Sequence, residues 1–128
     1  MWKMSKIIEI RKCIQILLKT IHPTVYFEVA PDDAVYPYIV YDLPNSNDDG
    51  TLEQFVLDVD GWDAPTNGDT TALETMMASV DQALHRKSII INNVSMEFFR
   101  ENRMTLHDPE PSIRRRKYVY QIRTYEGG

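Results

Sequence analysis

Two segments of the sequence repeat their apolar residues every three or four positions, and most other apolar runs alternate with polar residues. These periods belong to different backbones, because a helix returns every third or fourth side chain to one face and a strand every second. In residues 5–21, Ile7, Ile10, Ile14, Leu17, Leu18 and Ile21 form one helical stripe. Ser5 suits the N-cap, and His22-Pro23 ends the helix because the residue before proline avoids the α region. Lys6, Arg11, Lys12 and Lys19 make the opposite face basic. In residues 69–86, Leu73, Met76, Met77, Val80 and Leu84 form a second stripe. Either Asp69 or a capping box at Thr71-Ala72-Leu73-Glu74 begins it, and Arg86 and Lys87 complement the negative end of its dipole.

The remaining runs read as strands. Residues 24–29 are β-branched and aromatic, residues 37–43 alternate, and residues 51–62 place Phe55, Leu57 and Val59 opposite Val56, Asp58, Asp60 and Trp62. Turn formers fill residues 44–50, so 37–43 and 51–62 are expected to pair antiparallel across a hairpin. Residues 89–99 carry another β pattern interrupted by Asn92-Asn93, and residues 113–125 a last strand. Residues 104–112, with Pro109 and Pro111, are expected to be an exposed loop.

The expected fold is therefore α+β: two amphipathic helices packed on one face of a mainly antiparallel four- to five-stranded sheet, in the order α-β-β-β-α-β-β. With 128 residues the chain is expected to be a single domain, 1–128, with its core in about 5–125. No apolar run approaches the ~20 residues of a membrane span, so no membrane association is expected. No secretory signal is visible at the start, and the one cysteine, Cys13, suits a reducing compartment.

Charge is divided along the chain. The formal net charge is −5, yet residues 20–85 contain thirteen acids and no Lys or Arg. All 14 basic residues lie in the two flanking segments. Either folding interleaves acid and base, or the molecule presents an acidic and a basic side.

Candidate chemistry is sparse. His22, His85 and His107 share no metal-ligand spacing, Cys13 lies beside the core stripe of its helix, and no glycine-rich phosphate loop occurs. Asp58 and Asp60 fall on one strand face about 7 Å apart, and with Glu97 or Glu53 nearby they could hold a Mg²⁺ for phosphodiester cleavage. No base accompanies them in that stretch to attract a phosphate, so a metal-dependent DNA-processing enzyme is the alternative and not the leading reading. The run Arg114-Arg115-Arg116-Lys117 splits between both faces of a strand, which weakens it as a phosphate-binding patch. No catalytic, cofactor or metal residue is assigned. An acidic cluster of Asp58, Asp60 and Asp63 and a basic one of Arg114, Arg115, Arg116 and Lys117 are the expected subunit or partner interface, one copy's basic side meeting its neighbour's acidic side.

The order of elements also carries a resemblance. The run Ala34-Val35-Tyr36-Pro37-Tyr38-Ile39-Val40-Tyr41-Asp42-Leu43, then Phe55-Val56-Leu57-Asp58-Val59-Asp60-Gly61-Trp62-Asp63, then a Leu-x-x-Met helix ending in Ala83-Leu84, resembles the tail-completion or tail-terminator proteins of long-tailed bacteriophages. The resemblance spans residues 5–125. It implies a non-enzymatic virion part without cofactor, assembled in the host cytoplasm, that caps the tail tube as a ring, typically a hexamer. Such a ring stops tail growth and forms the interface for head–tail joining. The partners implied are other copies, the tail tube protein and the head connector or stopper, with DNA passing through the channel unbound. Other head–tail joining and minor tail components share similar patterns. The loops at 45–50 and 104–112 are expected to order on assembly.

Overall fold

A computed structural model describes residues 2–48, 53–91 and 94–126. The order is α1 (Trp2–Lys19), β1 (Val25–Phe27), β2 (Tyr38–Asp48), β3 (Glu53–Asp63), α2 (Thr71–Leu84), β4 (Ser88–Ile91), β5 (Val94–His107) and β6 (Arg114–Glu126). The strands form one sheet in the order β1-β2-β3-β6-β5-β4. All neighbouring pairs are antiparallel except β1 with β2, which is parallel.

Both helices cover the same face of this sheet. From α1, Ile10, Cys13, Ile14 and Leu18 enter a core shared with Leu73, Met76, Met77, Val80 and Leu84 of α2. The sheet supplies Ile39 and Tyr41 from β2, Phe55, Leu57 and Val59 from β3, Met96 and Phe98 from β5, and Tyr118, Tyr120 and Ile122 from β6. On β3 burial alternates strictly, and Gly61 holds the last core position before Asp63. A Cβ built on Gly61 would lie 2.6 Å from the Met77 sulfur and 3.0 Å from Leu73 Cδ1, so the missing side chain is what lets α2 approach.

The ends of α2 follow from local hydrogen bonding. Asp69 Oδ1 accepts from the Thr71 backbone N–H at 2.9 Å and from its hydroxyl at 2.6 Å, and these bonds lower the Asp69 pKa. The capping box at Thr71 does not form. Thr70 occupies the N-cap, and its hydroxyl meets Glu74 at 3.3 Å. At the other end the His85 N–H donates to the Asp81 carbonyl.

Four expectations need correction. The sheet has six strands, not four to five, because residues 88–107 form two strands, β4 and β5; the expected turn at Asn92-Asn93 lies outside the described residues. Residues 44–48 continue β2 instead of forming a loop. Asn45 pairs with Val56 and Asn47 with Gln54 after an irregularity between Asp42 and Asn45, so backbone pairing to β3 overrides turn-forming composition. Residues 104–107 extend β5, held by β6 from Lys117 to Arg114, and the connecting loop begins only at Asp108. Finally, α1 begins before Ser5, which therefore sits inside the helix.

Candidate assembly surface

The face of the sheet turned away from the helices is built by the other alternate residues of β2, β3, β5 and β6. β6 lies between β3 and β5, so the basic strand entrance runs beside the acidic strand. Their register sets Asp60 opposite Lys117 and Trp62 opposite Arg115. Diagonal contacts follow: Lys117 Nζ lies 3.5 Å from Asp58, and an Arg115 guanidinium nitrogen 3.6 Å from Asp60. The acid and base expected to meet between copies are therefore brought together within one chain. Burial raises the Asp60 pKa, opposed by Lys117 and Arg115 and reinforced by Asp58 and Asp42.

Alternation sends the other charged residues elsewhere. Asp63 lies on the helix side, buried, its carboxylate accepting from the Ala64 N–H at 2.8 Å. Arg116 also turns to the helix side and forms an ion pair with Glu74 of α2 at 2.9 Å. Arg114 donates to the Pro111 carbonyl at the turn into β6. The seven expected interface residues thus divide between the two faces of the sheet, and only Asp58, Asp60, Arg115 and Lys117 form one array.

That array continues into an aromatic stack that residue-type reasoning missed. The Arg115 guanidinium lies over Trp62, 4.0 Å from the ring centroid, and Trp62 stacks on Tyr38 at 5.9 Å with planes 12° apart. Tyr36 stacks on Tyr38 at 5.2 Å, and Tyr26 meets it edge-on. Burial and the neighbouring Tyr36 push the Tyr38 pKa up to about 12, so its hydroxyl remains protonated at neutral pH. Period-two aromatics at Tyr36 and Tyr38 were the available sign, but their partner Trp62 is set only by strand register. A cleft of about 350 Å³ opens beside the stack, walled by Val29, Ala30, Val40 and Trp62 with Asp60 and Arg115 in its lining. Asp60 Oδ1, Trp62 Nε1 and Arg115 Nε are buried there without a hydrogen-bond partner among the described residues. Each such atom costs about 1–3 kcal/mol.

A second surface lies where α1 crosses β1 and β2. Arg11, Lys12, Gln15, Ile16, Phe27 and Tyr41 line a groove of about 540 Å³, with the Arg11 guanidinium 4.9 Å from the Phe27 ring centroid. The Tyr41 hydroxyl donates to Gln15 at 2.7 Å, tying helix to sheet.

Catalytic chemistry has little to draw on among the described residues. No group of three or more His, Cys, Asp or Glu is placed to hold a metal ion. Cys13 is buried, which raises its pKa and disfavours the nucleophilic thiolate. His85 Nδ1 accepts from the Arg100 N–H at 3.0 Å. Asp81 is likewise engaged, accepting from the Tyr120 hydroxyl at 2.8 Å and pairing with Arg100. No described helix is long and apolar enough to cross a membrane.

No protein-family model matches the sequence, and no curated protein matches it. Among solved structures the chain is similar to a chain in the virion of a native gene transfer agent particle. The TM-score is 0.66 at 16% sequence identity, with 84% of each chain covered. At that identity the likeness is one of fold.

Proposed function

We propose that this protein is a structural subunit of a phage-type virion, a tail-completion protein that caps the end of the tail tube as a ring. In this reading the ring, a hexamer when assembled, stops tail growth and forms the interface for head–tail joining. Its neighbours are other copies, the tail tube protein and the head connector or stopper, while DNA passes through the channel without specific binding. The observation that carries the reading is the fold shared with a chain of a gene transfer agent virion over 84% of both chains. The residues agree with it, since the most densely charged array is spent on ion pairs within the subunit and not on a reaction centre.

Asp58, Asp60, Arg115 and Lys117 remain the proposed partner surface in an altered sense. Mutually paired, they present a nearly neutral face with an adjoining aromatic cleft. A face of that kind does not bind DNA phosphates tightly, which suits a conduit wall or its rim. Asp63 and Arg116 face the helices and Arg114 holds the turn into β6, so these three act within the subunit.

Removal of the protein from the particle that carries it tests the role. Tails of irregular length that fail to join heads are expected by electron microscopy; tails of normal length joined to heads would refute it. DNA cleavage by the purified protein with Mg²⁺ or Mn²⁺, lost in Asp58→Ala, would replace this role with an enzymatic one.

A further inference from the structure

The two outermost strands are shorter than their neighbours, and each leaves part of a long strand uncovered. On one side β1 pairs only with residues 39–41 of β2, so among the described residues no strand lies along the outer edge of 43–48, opposite β3. On the other, β4 pairs with residues 94–97 of β5. The turn from α2 into β4 adds hydrogen bonds from the Phe98 N–H to the Lys87 carbonyl and from the Arg86 N–H to the Phe98 carbonyl, and His85 accepts from the Arg100 N–H. Beyond Arg100, no hydrogen bond among the described residues reaches the outer edge of residues 102–107. An open edge of this kind is a template for another strand.

The hydrogen bonds already made fix which residues face each edge. Phe98 and Arg100 direct their backbone groups outward, away from β6. The irregularity between Arg100 and Asn102 inserts one residue and resets the alternation, leaving Asn102 bonded toward β6 and Arg103, Thr105 and His107 facing outward. On β2, Ile39 and Tyr41 face β1. The irregularity between Asp42 and Asn45 then leaves Ser46 and Asp48 facing outward.

These two edges fit one another. They are equal in length and lie on opposite sides of one sheet. Because β2, β3, β6 and β5 alternate in direction, β5 of one copy set beside β2 of the next runs antiparallel to it. Thr105 pairs with Arg116 and Ser46 with Phe55, both at helix-side positions, so pairing Thr105 with Ser46 keeps the helices of adjacent copies on the same side. The free part of β2 lies level with the start of β3 and that of β5 with its end. Joining them displaces successive copies by six residues, about 20 Å, for every four strands, about 19 Å of sheet width. The resulting strand tilt is about 45°, at the upper end of the range found in closed barrels. We infer that a second copy of this chain docks by strand addition, residues 103–107 of one subunit pairing antiparallel with residues 44–48 of the next. The contact is heterologous, so repetition with a closing rotation gives a ring. This deepens the proposed function and rests on it for the ring.

Cross-linking tests the pairing in the full-length protein at about 1 mM, a concentration that favours weak association. Directly opposed residues in such a pair have Cα atoms about 5.5 Å apart, within disulfide range. Oxidation of the S46C/T105C double variant is expected to give a ladder of covalent oligomers ending at a closed ring. Either single variant is expected to give no ladder. Adding Arg103→Pro, which removes an outward N–H that β6 does not use, is expected to cut the yield at least tenfold with unchanged circular dichroism. Absence of the ladder, or dimers from T105C alone through a two-fold β5–β5 contact, would overturn the inference. Rings seen by electron microscopy without the S46C–T105C cross-link would overturn the strand pairing alone. Covalent rings from a protein whose removal leaves tails intact would overturn the tail role alone.

Discussion

The two faces of the sheet are made from the same strands and behave as different materials. Toward the helices, the central residues of β3 and β6 are apolar, and Leu57, Val59, Tyr120 and Ile122 are fully buried. Away from them, Asp58, Asp60, Trp62, Arg115 and Lys117 lie side by side, half-buried without any helix above them. The first face gains stability from packing, where every atom has neighbours. The second relies on ion pairs and ring stacking, which contribute little each and leave polar atoms unsatisfied. The difference separates the residues that make the fold from those free to serve a partner.

The largest expected effect breaks the helix-side face. Phe98 is fully buried between α2 and β6. Phe98→Ala is expected to destabilise the fold by about 3–5 kcal/mol, the usual cost of deleting a buried ring. Val119→Ala, on the opposite face of the adjacent strand, is expected to cost less than about 1 kcal/mol. Urea titrations of both variants measure the contrast, and equal losses would show that the outer face is packed as a core.

Overfilling sharpens the same contrast. Gly61→Val places a branched side chain where a Cβ alone would stand 2.6 Å from the Met77 sulfur. A loss of about 1–3 kcal/mol is expected, limited by the flexibility of Met76 and Met77. A neutral result in thermal unfolding would mean that α2 shifts outward at no cost.

Legibility from sequence follows the same division. The helix stripes are visible because their period is local: Ile10, Ile14 and Leu18 were identified and are buried, as are Leu73, Met77 and Leu84. The alternation of β3 was equally plain. What sequence does not carry is which strand lies next to which. Insertion of β6 between β3 and β5 joins residues some sixty positions apart, such as Asp58 with Lys117, and no local pattern announces it. The segregation of acid and base along the chain therefore leaves interleaving and separate sides both open from sequence, and at the sheet centre the two interleave as an ion-pair ladder. Residues 44–48 and 104–107 were misread for a related reason. Pro44, Asn45 and Asn47 are tolerated in β2 because that segment has one free edge, and Met104 to His107 are strand because they pair with β6, both properties of the whole sheet.

Asp60 offers a test by pH. Burial raises its pKa above the ordinary 3.8 despite Lys117 and Arg115. The folded state therefore holds this proton to higher pH than the unfolded chain does. Stability from this group is present at low pH and is lost as pH rises from about 3.8 through the raised value. Asp60→Asn cannot lose a proton, so its stability relative to the native chain is expected to grow across that interval and then stay level toward neutrality. Denaturant titrations of both proteins between pH 3 and 7 measure it. A difference that shrinks with rising pH would show that the two cations more than offset the burial.

The smallest effect concerns the neighbouring pair. Asp58 and Lys117 are separated by 3.5 Å, and each side chain retains about a fifth of its exposure, 21% and 24%. Water reaches both groups, so the coupling from a double-mutant cycle with Asp58→Ala and Lys117→Ala is expected at about 0.2–1 kcal/mol. It is expected to weaken with added salt, since ion pairs open to water are screened. A coupling several times larger and indifferent to salt would mean that the array is held out of water and contributes to folding like the helix side. A small, salt-sensitive coupling leaves these four charges energetically cheap to rearrange, and a surface with that property can re-pair with a docked partner without loosening the subunit.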